Sequence, residues 1–323
     1  MLHVLDVTFP FFALVLCGYA VARARWLPLE AVPALNVFVL YFALPCMLFR
    51  FAAGTPIARL LAPAVVGTWL GCALAMVAIA LVVTRPRRIG WNDAAFGALA
   101  AVFPNAGFMG VPLIADLLGP AAAGPAIVGL AVDMVVTSSL CIALSRLGTA
   151  GTHGRGRAMR TALASMAANP LPWAILAGGL LSASGLELPR LVGRPVWMLA
   201  DAASPVALFT LGAVLACSRV HAFDEAVAQA PIEDVGRVTA LKLLVHPALV
   251  FTVGHVLLRL GAGPDAFTVH VLTLLAALPS ASNVPMLAER FGADAGRIAR
   301  VVLVTTALAF LTFSATVAWL ARA

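Results

Sequence analysis

Residues 100–119 read AAVFPNAGFMGVPLIADLLG. The stretch is apolar enough to lie in a membrane, yet Pro104 and Pro112 bracket Asn105, Gly107 and Gly110. A proline inside a helix removes a backbone hydrogen bond and clashes with the preceding turn, at a cost of about 3 kcal/mol. The glycines loosen the backbone further. The stretch therefore predicts a helix broken at mid-depth, with an amide side chain at the break. Residues 272–292, LTLLAALPSASNVPMLAERFG, repeat the design: Pro279 and Pro285 bracket Ser280, Ser282 and Asn283. Irregular backbone at membrane depth survives only where protein buries it or where it lines a wet cavity. Half-helix N-termini at such breaks offer N–H groups and partial positive charge, suited to a carboxylate.

The rest of the chain fits that setting. Of its 323 residues, 62% are hydrophobic and 11% charged, with a mean hydropathy of +1.02. Soluble domains average about 45–50% apolar and about 25% charged residues. The composition excludes an ordinary cytosolic enzyme, a disordered chain and a fibrous repeat. It predicts an all-α polytopic membrane protein. With about 20 apolar residues needed per span, the uncharged runs give ten transmembrane helices. They are expected at 5–22, 31–51, 60–84, 94–118, 123–147, 165–184, 196–218, 236–259, 266–290 and 299–321. The broken stretches are spans four and nine. Pro45, Pro63, Pro172, Pro205 and Pro247 are read as simple kinks. The first run is followed by Arg23 and Arg25 without an A-x-A site, so it reads as a span rather than a cleaved signal. Five scattered cysteines, none in a CxxC pair, imply neither a disulfide nor a metal site.

Arginine placement sets the orientation. With the N-terminus outside, the inner loops and their flanks hold Arg23, Arg25, Arg85, Arg87, Arg88, Arg146, Arg155, Arg157, Arg160, Arg219, Arg237, Arg290, Arg297 and Arg300, fourteen in all. The outer side holds six: Arg50, Arg59, Arg190, Arg194, Arg259 and Arg322. The positive-inside rule then places both termini outside, and the net charge of +7 reflects topology rather than binding of nucleic acid. Twenty arginines against one lysine, with abundant alanine, point to a GC-rich bacterial genome and a cytoplasmic (inner) membrane, so the termini are expected to be periplasmic. Residues 148–164, beginning GTAGTHGRGR, read as a flexible cytoplasmic linker between residues 1–147 (spans 1–5) and 165–323 (spans 6–10). An odd number of spans per half inserts the second half upside down, a 5+5 inverted repeat.

Three ionisable groups within the spans are candidates for a part in transport. Asp133, in span five, is costly in lipid and is a candidate proton carrier; the alternative is a packing residue hydrogen-bonded near Thr137 and Ser138. Lys242 lies in span eight with His246 one turn on, on the same face. The pair can bind an anion or stand in for a coupling cation at the break; alternatively Lys242 snorkels to the surface and His246 is a packing residue.

PNAGFMGVPL at 104–113 resembles the fourth-span motif N-x-G-x-x-G-x-P-L of the auxin efflux carrier family, which includes bacterial permeases and the plant auxin exporters. LPSASNVPMLAERFGAD at 278–294 is similar to its ninth-span segment, VFVLYFALPCMLF at 37–49 to its second span and LKLLVHP at 241–247 to its eighth. The resemblance runs over the whole chain. It implies a scaffold of spans 1, 2, 6 and 7 that often dimerises, and a transport domain of spans 3–5 and 8–10 with crossover helices 4 and 9 crossing at their breaks. It also implies organic anions as substrates, malonate- and malate-type carboxylates among them. By the motif, Asn105 carries over as a substrate contact; Asn283 matches less specifically. The long central loop of the plant proteins is absent.

Enzyme signatures are missing: the chain has no HExxH and no G-x-S-x-G, its histidines lack metal-ligand spacing, and the Gly-rich stretch at 148–156 lacks a phosphate-loop lysine. No cofactor is expected. The expected function is a secondary active transporter of small organic anions working by an elevator-type movement. The competing readings are a passive channel, which needs a continuous polar pore, and a membrane sensor, which needs an effector domain.

Overall fold

The structure, a computed structural model, describes residues 2–60, 62–84, 89–146, 169–222 and 232–321. The linker expected at 148–164 lies outside them. The described residues form helices and no strands, apart from one isolated antiparallel bridge. We number the helices α1 (Leu2–Arg23), α2 (Val32–Ala53), α3 (Pro63–Thr84), α4 (Trp91–Val102), α5 (Ala106–Leu118), α6 (Pro120–Arg146), α7 (Pro170–Ser184), α8 (Arg190–Ala222), α9 (Glu233–Arg259), α10 (Ala266–Ala276), α11 (Val284–Arg290) and α12 (Ala295–Leu320). Among the described residues six segments, in α2, α3, α6, α8, α9 and α12, are long and apolar enough to cross a membrane. Shorter apolar helices lie at Thr8–Arg23, Ala106–Leu118, Pro170–Ser184 and Ala266–Ala276.

Helices extend past several sequence-derived ends, because charge ends a lipid-facing run without ending a helix. α8 begins at Arg190 rather than 196 and carries Arg194 in its first turns. α12 begins at Ala295, where the Asp294 carboxylate caps it by accepting from Arg297 N at 2.8 Å. Asp265 caps α10 through Thr268 N in the same way.

Among the described residues four wide π turns interrupt the apolar helices, at 39–43, 106–110, 133–137 and 241–245. Three end two residues before a proline: Pro45, Pro112 and Pro247. Proline lacks an N–H and crowds the carbonyl four residues back, and a widened turn relieves both. The turn at 133–137 has no proline. There the hydroxyls of Ser138 and Thr137 donate to the Asp133 carbonyl (2.8 Å) and to Asp133 Oδ1 (2.9 Å). The Ser138 bond competes with the backbone ladder. Two of the expected kinks are not interior at all: Pro63 opens α3 and Pro172 lies in the first turn of α7, where no intrahelical N–H bond is lost.

The helices pack in two groups. α1 packs on α8, and α2 packs on both α7 and α8. Glycines bring these backbones together: a Cβ on Gly18 would lie 1.9 Å from Phe209 O, and one on Gly212 equally close to Val15 O. Between membrane helices, close approach over small residues supplies the packing that water supplies elsewhere. In the second group α3 packs on α4, α6 and α9, α4 on α6, α9 on α10 and α12, and α11 on α12. Arg297, buried, ties three of its helices: Nε donates to Asp234 Oδ2 in α9 at 2.5 Å and Nη1 to the Asp93 carbonyl in α4 at 2.8 Å. Gly97 of α4 leaves the room, since a Cβ there would lie 2.7 Å from Arg297 Nη2.

Candidate functional site

The two breaks meet. Residues 103–105, between α4 and α5, run antiparallel to residues 279–281, between α10 and α11, with Pro104 opposite Ser280. Asn105 N donates to Pro279 O at 2.8 Å and Ala281 N to Phe103 O at 3.0 Å. Backbone groups freed by the prolines of one helix are thus satisfied by the other, which is how irregular backbone is tolerated in an apolar core. Ser280 completes the joint: its hydroxyl donates to Ala100 O at 2.7 Å, and its N–H to Thr305 Oγ1 at 3.2 Å. Gly110 lets α5 close against the other break, because a Cβ there would lie 2.5 Å from Leu278 Cδ1. Around Gly107 the nearest such neighbour is Leu130 at 4.0 Å, so close packing does not require that glycine.

Lys242 holds the same joint from α9. Its ammonium donates to Val102 O (3.3 Å), at the end of α4, and to Ala276 O (3.1 Å), at the end of α10. Its third partner is Nδ1 of His246 at 3.1 Å. Both side chains are fully buried, so Lys242 does not snorkel. C-terminal helix ends carry partial negative charge, and a cation there is stabilised. All three ammonium donors are occupied by protein groups.

Asp133 lies beside this pair, fully buried in α6. Oδ1 accepts from Thr137, and the carboxylate also faces Trp69 of α3 and Lys242. The Trp69 and His246 rings lie 5.6 Å apart, tilted by 50°. Asp133 and the Lys242–His246 pair, unconnected in the sequence, therefore form one cluster, with Trp69 as a fourth member.

A cavity of about 530 Å³ lies between the two packing groups. Asn36 of α2 and Leu211 of α8 form one wall; Phe108, Ser282, Asn283, Pro285 and Met286 form the other. Val32, Glu289 and Gly296 also line it, so it reaches the α1–α2 and α11–α12 connections. Among the described residues the lining holds no arginine, lysine or histidine, and its charged member is Glu289. Asn105 is not in the wall: it is 2% exposed, and its Nδ2 has no protein partner among the described residues. Pro104, Gly107, Gly110, Pro112, Pro279 and Ser280 are also absent from the lining, while Ser282, Asn283 and Pro285 belong to it.

Three features escaped the sequence reading. Asn36, whose Nδ2 donates to Met286 Sδ at 3.5 Å across the cavity, was legible as a lone amide in an uncharged run. Trp69 gave no signal, since an aromatic residue in an apolar span is ordinary. Arg297 and Asp234 looked like loop charges, because their pairing across 63 residues exists only in three dimensions.

A family model described as "Membrane transport protein" matches residues 3–149 and 157–317. A Rhizobium meliloti protein named "Putative malonate transporter" is 29% identical over 319 residues, covering 97% of this chain and 94% of its own. The Escherichia coli "Uncharacterized transporter YfdV" is 25% identical, covering 87% of this chain and 86% of its own. An "Uncharacterized transporter" of Methanothermobacter thermautotrophicus is 26% identical, covering 93% and 92%.

Proposed function

This chain belongs to that membrane transport protein family, the auxin efflux carrier family, and is a multi-pass membrane transporter rather than an enzyme; on this premise we propose that it is a secondary active transporter of small organic anions, working by an elevator-type movement. The observation that carries the reading is the pair of broken helices joined at 103–105 and 279–281, beside a cavity whose walls come from both packing groups. In this reading α4–α5 and α10–α11 are spans four and nine of ten, arranged as a 5+5 inverted repeat. The group α1, α2, α7 and α8 is the scaffold, through which two copies can pair. The other group is the transport domain, stiffened by Arg297 and Lys242, and it slides as a body.

The cavity lies on the side of the α1–α2 and α11–α12 connections, which the arginine asymmetry assigns to the cytoplasm. The arrangement is then inward-facing in the cytoplasmic membrane, with both termini periplasmic. Substrate recognition falls to neutral donors, Asn283, Ser282 and Asn36, with Asn105 behind them. The relative named as a malonate transporter supports a malonate- or malate-like carboxylate. Lys242 acts as a fixed cation for the crossover, and Asp133 as the group that links transport to protons.

Counterflow in proteoliposomes tests the reading. Purified protein should take up labelled malonate or malate faster when the lumen is preloaded with unlabelled acid. Such trans-stimulation is a property of carriers; uptake that is insensitive to preloading would identify a channel.

A further inference from the structure

Among the described residues, three polar atoms of the Lys242 cluster have no protein hydrogen-bond partner: Trp69 Nε1, His246 Nε2 and Asp133 Oδ2. All three side chains are fully buried. Their hydrogen-bonding capacities are complementary. An indole N–H only donates, and an ionised carboxylate only accepts. With Lys242 as an ammonium, which has no lone pair, His246 Nδ1 accepts from it and the neutral ring carries its hydrogen on Nε2. The set is therefore two donors and one acceptor, drawn from α3, α9 and α6. The Trp69 N–H faces the Asp133 carboxylate without meeting hydrogen-bond geometry, and direct bonding of the two would leave the His246 N–H without a partner. One water molecule, with two lone pairs and two hydrogens, serves all three, and buried waters typically make about three hydrogen bonds to such groups.

We propose that Trp69, His246 and Asp133 together bind one buried water, and that this water joins the Asp133 carboxylate to the Lys242–His246 pair in a continuous hydrogen-bonded chain. The chain ends on Val102 O and Ala276 O, the ends of the two broken helices. Trp69 is then a positioning residue: it acts on coupling through the water and not on the substrate. The titratable and charged groups facing the site are Asp133 and Cys141 from α6 and Lys242 and His246 from α9; α3, α4 and α10 contribute Trp69 and the two carbonyls. The inference rests on the coupling role given to Asp133 above.

A high-resolution structure of the full chain in lipid nanodiscs should show a solvent peak within about 3.2 Å of all three atoms. The Trp69→Phe protein should lose that peak. Its uptake in proteoliposomes should lose pH dependence while its half-saturating substrate concentration at a fixed pH stays at the parent's value. A dry contact at this site in the parent overturns the proposal, and so does a Trp69→Phe pH profile matching the parent's. If Asp133→Asn leaves the pH profile unaltered, the coupling reading fails instead, and the solvent peak still decides the water site.

Discussion

The ammonium of Lys242 lies 3.1 Å from the carbonyl oxygen of Ala276, the last residue of α10. Together with its bond to Val102 O, this makes a single side chain the common cap of both broken helices. The crossover is thereby held through charge as well as through the backbone pairing at Pro104 and Ser280.

Removing that cap should loosen the joint without removing a substrate ligand. Lys242→Met leaves two helix-end carbonyls and His246 Nδ1 unpartnered, and each such buried group costs about 1–3 kcal/mol. We expect a lower melting temperature and slower counterflow, with the half-saturating substrate concentration unchanged. A raised half-saturating concentration with unchanged melting would instead make Lys242 an anion ligand.

Asp133→Asn keeps the shape of the side chain and its bond from Thr137 but takes up no proton. Uptake by the parent should vary with pH, and uptake by the variant should be flat across the same range, with normal insertion and yield. An identical profile in both proteins would remove Asp133 from coupling.

The two asparagines should differ. Asn283 lines the cavity, and losing a hydrogen bond to a charged group costs about 1.5–3 kcal/mol, so Asn283→Ala should weaken substrate binding about ten- to a hundredfold. Asn105, buried behind the wall, should show the smaller effect. Calorimetric titration of both variants with malonate or malate checks the order. A larger loss in Asn105→Ala would move the binding site from the cavity into the crossover itself.

The orientation has its own test. In a variant with the five native cysteines replaced, Thr152→Cys should resist an impermeant maleimide applied to intact cells and react after lysis. Efficient labelling from outside would invert the topology and place the cavity on the opposite face.

Much of the crossover was legible in the chain because proline and glycine act locally. Pro104 and Pro279 each lack a backbone N–H and crowd the preceding turn, and their matching positions mark two breaks. The π turns ahead of Pro45 and Pro247 follow from the same chemistry, although their width does not show in a residue pattern. A hydroxyl near a break reads as available, which makes Ser280 a candidate ligand from sequence. In the fold it is occupied, bonded to Ala100 O from across the joint.

The sequence alone determined that this is an α-helical membrane protein with two interrupted helices and ionisable groups inside apolar segments. Hydropathy, proline chemistry and arginine placement are properties of single residues and their near neighbours, so no fold is needed to read them. Only the tertiary structure decided that Lys242 caps Val102 and Ala276, that Trp69 joins Asp133 and His246, and that Ser282 and Asn283 face the cavity while Asn105 does not. The two Lys242 bonds alone connect residues 34 and 140 positions apart. In an apolar interior, where helix faces carry little pattern, such partners are set by packing geometry.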